Sequence, residues 1–243
     1  MNPNRAFTLI ELLVTIAIIA ILAALLFAVT VRIRSPLSEK VCRNNLGQIG
    51  VAMQLYRNDN EGQYPLLSAV RGTTGEAFKI QTPARPTWSF RFALGGKTTT
   101  NSPPEANRPL FKYVKAAETF RCKDDKGYDV KLSRGGTTVE SIWKWQGCSY
   151  GYNPVTGLRV PKAEGISNPS KVVLVYEYPG WNIPMEVILW HRFKRRESLP
   201  LEDHYKKGRQ LVTPYLFVDG HAEVVLFKQD ETPRDSNRIS WRP

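Results

Sequence analysis

Hydrophobic and polar positions fall along the 243-residue chain in three regimes. From Phe7 to Val31 nearly every residue is apolar, and Glu11 is the single ionisable group in the run. From there the pattern turns amphipathic. Cys42, Leu46, Ile49, Met53 and Tyr56 recur at alternating helical steps, with Arg43, Asn44, Gln48, Gln54 and Arg57 opposite them, which is one apolar stripe on a helix. Asn58 to Gly62 is a polar stop, and Tyr64-Pro65 opens an extended segment. Stretches such as RGTTGEAF and GGKTTTNSPPEANRP then read as loops, and RPLFKYV (108–114) as a short helix or turn. Strand patterning returns late, in KVVLVYEY (171–178), MEVILWHRF (185–193) and YLFVDGHAEVVLF (215–227).

A helix over the roughly 25 residues from Phe7 to Val31 would be about 37 Å long, enough to cross a hydrocarbon core of about 30 Å. The run is too long for the apolar part of a secretory signal peptide, and a core helix this uniformly apolar would need protein on every side. Continued without a break to Asn58, the helix would reach about 78 Å, so anchor and stalk share one element. Pro36 removes an amide hydrogen bond and crowds the preceding turn; a hinge and a static kink are both consistent with it. Gly47 and Gly50 are weak points or places of close backbone approach. In the last strand pair, Asp219-Gly220 fits a two-residue type I′ turn, setting Phe217 opposite Ala222 and Tyr215 opposite Val224. A long helix packed on a small antiparallel sheet is an α+β architecture.

Charge adds one question. Lys and Arg total 34 against 22 Asp and Glu, giving +12, and the excess lies beyond the apolar run. That suits an anionic partner such as nucleic acid, and also an ordinary soluble surface. WHRFKRR (190–196) and HYKKGRQ (204–210) set cations beside rings, as single-stranded nucleic acid requires and as plain basic loops also do. The three cysteines lack metal-site spacing; Cys122 and Cys148 are the natural disulfide pair in an oxidising compartment, with a reduced state as the alternative. The histidines show no HExxH, so neither a metal nor a cofactor is expected. Asp124, Asp125 and Asp129 offer a weak calcium pattern that an ordinary solvated loop explains as well. Gly147-Cys-Ser149-Tyr-Gly151 spells a hydrolase elbow, but the preceding SIWKWQ (141–146) reads as one short strand at best and Asn153-Pro154 denies the helix that must follow, so no enzyme is expected.

The order Arg5, Ala6, Phe7, Thr8, Leu9, Ile10, Glu11 resembles the processing site of type IV prepilins and type II secretion pseudopilins. The resemblance implies a leader of residues 1–6, cleavage between Ala6 and Phe7 by prepilin peptidase, and N-methylation of Phe7. It departs in one place, since Ala6 stands where Gly is usual. Glu11 would then pair with the N-terminal amine of a neighbouring subunit in a bundle of low dielectric; without that context the same residue reads as an acid snorkelling from a helix start. Residues 7–31 become the transmembrane half of a pilin-like helix, 32–58 its stalk half, and 59–243 a globular α+β domain.

The implied location is a single pass through the inner membrane, N-terminus cytoplasmic and domain periplasmic or extracellular. Counting Arg32, Arg34, Lys40 and Arg43 against Arg5 gives the opposite orientation, and the processing motif overrules that count. The implied activity is assembly with other pilin or pseudopilin subunits; a filament-displayed module binding DNA or anionic polymer is the alternative. CRNNLGQIGVAMQLYRNDNEGQYP (42–65) looks like the helix half found in a large group of processed membrane proteins of environmental bacteria. That group ends in a His, nine residues, then Asp-Gly-His. Here Asp219, Gly220 and His221 match, but Arg209 stands in the first position and His204 lies further off, which puts a site built from both histidines in doubt.

Overall fold

A computed structural model describes residues 8–65, 94–99, 105–130, 137–153, 163–181, 187–193, 195–229, 231–233 and 236–242. Residues 1–7, with the cleavage position, lie outside that set, as do the side chains of 26–36, Pro36 included. The chain divides into two compact units between Leu37 and Ser38.

Helix α1, Leu9–Asp59, contributes to both units. In the first unit every described residue from Thr8 to Leu25 is exposed, including eleven large apolar side chains such as Leu9, Ile19 and Leu25. In the second unit, the expected stripe is the buried one: Cys42, Leu46 and Ile49 are fully buried, Met53 nearly so, and Tyr56 packs at the margin. Burying an aliphatic side chain of this size contributes roughly 1.5–3 kcal/mol, so this face docks the helix. It lies on a four-stranded antiparallel sheet, ordered β3 (Tyr150–Tyr152), β4 (Val173–Glu177), β7 (Val212–Phe217), β8 (Ala222–Leu226). Gly50 gives the closest approach: a Cβ there would meet a Leu216 methyl at 2.9 Å and the Gly220 carbonyl oxygen at 3.2 Å. The helix stops at the expected polar segment, where Glu61 and Gly62 take positive φ and the Gly62 amide donates to the Arg57 carbonyl. Tyr64 is then buried, and its hydroxyl donates to the Val218 carbonyl at the sheet's far turn.

Both faces of the central strands are covered. Leu174, Val175 and Leu216 pack with the helix, while Val173, Tyr176, Tyr215 and Phe217 form a second cluster with Leu201, Tyr205, Phe227 and Ile239. Among the described residues two smaller pairs accompany this sheet, β1 (Tyr128–Val130) with β2 (Thr137–Val139) and β5 (Val187–Ile188) with β6 (Ser198–Leu199). Two short helices, α2 (Ile142–Gln146) and α3 (Leu201–Lys206), lie between strands.

Three expectations change. The last hairpin pairs Leu216 with Ala222 and Tyr215 with Glu223, one residue away from the expected register. Its loop is Val218-Asp219-Gly220, closed by the Phe217 amide on the His221 carbonyl, and of these three only Gly220 has positive φ. A three-residue loop of that kind ends in a single left-handed residue, whereas type I′ needs two. The segment SIWKWQ is a helix, not a strand, with Ser141 accepting from the Lys144 amide as its cap. Among the described residues of MEVILWHRF, Val187–Ile188 pair as strand, and Trp190 and His191 leave the sheet to enter the interior.

Candidate functional site: the helix start and a buried Cys-His-carboxylate cluster

Two places concentrate chemistry. The first is the start of α1. The Thr8 amide and hydroxyl donate to Glu11 Oε2 at 2.9 and 2.8 Å, and the Glu11 amide donates back to Thr8 Oγ1 at 3.3 Å. This reciprocal pair is a capping box, in which a Thr and a Glu three residues later satisfy amides that the helix leaves open. Within one chain, Glu11 therefore has a local role. The Thr-Leu-Ile-Glu spacing displays it in the sequence, although the apolar run draws attention away from it.

The second is assembled by the segment Arg121–Gly127, in which successive side chains go to different partners. Cys122 meets Cys42 of α1 with the sulfurs 3.1 Å apart. Asp124 accepts from the Ser38 hydroxyl at 2.6 Å and bonds His191 Nδ1 at 3.0 Å. Asp125 turns the other way, taking the Gly127, Ile142 and Trp143 amides and the Ser149 hydroxyl at 2.6–3.0 Å, with Ser141 Oγ at 3.3 Å. It closes the N-terminal turn of α2 from outside the helix. Lys126 donates to the carbonyls of Leu189, Trp190 and Phe193, and Trp190 Nε1 donates back to the Gly127 carbonyl at 3.0 Å. Glu39 holds the next residue, Arg192, through both carboxylate oxygens at 2.6 and 3.0 Å. The loop 189–193 is thereby pinned on both sides of His191.

His191 is the centre of this arrangement. Its ring is buried, Nε2 lies 2.7 Å from Glu177 Oε2, and Glu177 at the end of β4 is fully buried. Burial alone would drive the imidazole toward its neutral form. Glu177 and Asp124 together outweigh that, and the pKa is pushed up to about 12. Asp124 is held below its ordinary value: burial raises it, but His191 and Ser38 prevail. The Cys122 thiol is pushed well up by burial. The Cys42 sulfur, the Cys122 sulfur, a Glu177 oxygen and a His191 nitrogen all lie within 4.8 Å of one another, which makes these four, among the described residues, a set able to hold a metal ion.

Other expectations resolve locally. Cys148 does not pair with Cys122; all three cysteines are free thiols, and Cys148 donates to the Tyr150 carbonyl at 3.2 Å. Ser149 is buried against Asp125 and followed by strand β3, so no nucleophile elbow forms. Asp124 and Asp125 are taken by protein groups, and the Asp129 side chain lies outside the described residues. In the basic stretches, Trp190 and Tyr205 are buried, Arg196 donates to the Lys126, Tyr128 and Val139 carbonyls, and Lys207 and Arg209 both reach Glu197. His204 is buried on the Val187 carbonyl, while His221 stacks on Phe217 and bonds Asp219 in the turn. No pair of histidines forms there.

A helix packed on an antiparallel sheet, with the helix start carrying a lone acid in an apolar run, defines an α+β protein of pilin-like architecture. Residues 1–27 match the family model of the prokaryotic N-terminal methylation motif, which supports a type IV pilin-like protein. The match covers the helix start and none of the second unit. Comparison with curated proteins and with solved structures gives no significant match.

Proposed function

We propose that this chain is a prepilin-like structural subunit, cut between Ala6 and Phe7 by prepilin peptidase, methylated on Phe7, and assembled through α1 into a type IV pilus or type II secretion pseudopilus. The observation that carries this reading is the methylation motif at residues 1–27, standing on a helix start whose described residues are all exposed from Thr8 to Leu25. An uncovered apolar surface of that extent needs lipid or other protein around it. Among the described residues no helix is long and apolar enough to cross a membrane. The described side chains of the apolar run end at Leu25, and its continuation to Val31 in the sequence supplies the remaining length. In this reading 7–31 spans the inner membrane before assembly, Glu11 meets the amine of a neighbouring Phe7, and the second unit lies on the exported side. The hinge role of Pro36 belongs to the same proposal: the two units divide one residue beyond it.

The test is recovery of the chain from sheared filaments. Cells expressing it with an active prepilin peptidase are expected to yield it in a sedimenting, filamentous fraction. A chain found solely as dispersed membrane protein under those conditions would remove assembly from the account.

A further inference from the structure

We propose that Cys42, Cys122, Glu177 and His191 bind one zinc ion as a closed structural site. The four residues come from α1, the segment 121–127, the end of β4 and the loop 189–193, and all are buried, the most exposed being His191 at 2%. Two thiolates and an imidazole select a borderline-soft divalent ion, and a carboxylate completes the set of donors that zinc accepts. Zinc to sulfur and nitrogen distances of about 2.3 and 2.0–2.1 Å put the edges of a tetrahedral site at roughly 3.3–3.8 Å. Two separations, 3.1 Å between sulfurs and 2.7 Å between His191 Nε2 and Glu177 Oε2, are shorter than that, and all four donor atoms lie within 4.8 Å of one another, within reach of side-chain movements.

Two further observations point to a cation. Glu177 Oε1 is buried and has no hydrogen-bond partner among the described residues, and a buried carboxylate oxygen left open is costly unless something positive faces it. His191 also has the support that ligating histidines need. Nδ1 lies 3.0 Å from Asp124, which in turn accepts from Ser38. A donor bond from Nδ1 to a carboxylate fixes the tautomer and leaves Nε2 to face the cluster. Lys126 and the Glu39–Arg192 pair hold the loop in that position. Binding forms two Zn–S bonds, one Zn–N bond and one Zn–O bond in place of the ion's bonds to its coordinated waters, which leave to solvent. It releases to solvent the two thiol protons and the proton shared between Nε2 and Glu177. The ion would join segments far apart in the chain, and because the site exists only in the folded state its binding free energy adds to folding stability.

The experiment uses the full-length chain, purified in detergent without chelator or reductant. About one zinc per chain is expected by elemental analysis, with Cys42 and Cys122 both unoxidised by intact mass. Cobalt exchanged into the site should show thiolate-to-metal absorption. In Cys122→Ser the zinc content is expected to fall below about a tenth, while Cys148→Ser keeps it. Asp124→Asn, which removes no ligand, should weaken zinc binding by about 10–100-fold, and this decides the matter even if Cys122→Ser does not fold. A zinc-free chain, whether its Cys42 and Cys122 are joined as a disulfide or remain free thiols, would overturn the proposal. So would zinc that persists in both Cys122→Ser and Asp124→Asn.

Discussion

Glu11→Ala is expected to leave processing and membrane insertion intact and to reduce the amount of chain in filaments by about 100-fold or more, as removal of one member of a desolvated charge pair does. The capping box supplies a control. Thr8→Ala removes the two bonds made through the Thr8 hydroxyl and leaves the backbone amide at that position on the Glu11 carboxylate. If Glu11 acts on a neighbouring subunit, Thr8→Ala assembles nearly normally and Glu11→Ala does not. Equal loss in both variants would mean that the acid serves the helix start of its own chain, and normal filaments from Glu11→Ala would refute the pairing role. The comparison is made by quantifying sheared filaments against total membrane-bound chain.

The second large effect is on stability. Asp125→Ala is expected to cost about 3–5 kcal/mol, because three backbone amides and two hydroxyls lose a common acceptor in the interior. Burial pushes the Asp125 carboxyl up, and the amides that donate to it work against that shift. For a chain of this size the loss corresponds to a melting temperature lower by roughly 10 °C or more, read by thermal denaturation of the detergent-solubilised protein. Asp125→Asn retains one accepting oxygen and should fall between the two. A variant with alanine that melts with the wild type would show that α2 and its preceding loop hold without this acceptor.

The helix and its docking face were legible because both depend on local period. Cys42, Leu46, Ile49 and Met53 repeat at helical spacing, and a stripe of that kind has one packing solution. Strand β4 was legible for a similar reason, as a run rich in β-branched and aromatic residues and buried on both faces. The hairpin was recognisable but its register was not. Asp-Gly suits both two-residue and three-residue loops, and the choice was made by the Phe217–His221 closure, which one dipeptide does not specify. Ile142–Gln146 looked like strand because Ile and Trp favour strands, and five residues are too few to show a helical period. What fixes it is Asp125, an acceptor supplied from another segment.

The cluster around His191 was hidden for a more general reason. Spacing rules find ligands that lie close together in sequence, as in CxxC pairs. Here the sulfurs come from positions 42 and 122 and the other donors from 177 and 191, so only the packing of four elements brings them together. Three cysteines without CxxC spacing made Cys122 and Cys148 the expected pair, whereas the folded chain sets Cys122 against Cys42. A usable signal was present in RCKDDKG, where a Cys, two acids and a Lys compete for space between a turn and a strand. Each has a separate buried or half-buried role.

The central claim, a subunit made by removal of its leader by prepilin peptidase, is tested most directly at the new N-terminus. Intact-mass measurement and N-terminal sequencing of the chain extracted from membranes should give a protein that lacks residues 1–6 and begins with N-methylated Phe7. A chain that still begins at Met1 in cells with active prepilin peptidase would contradict it.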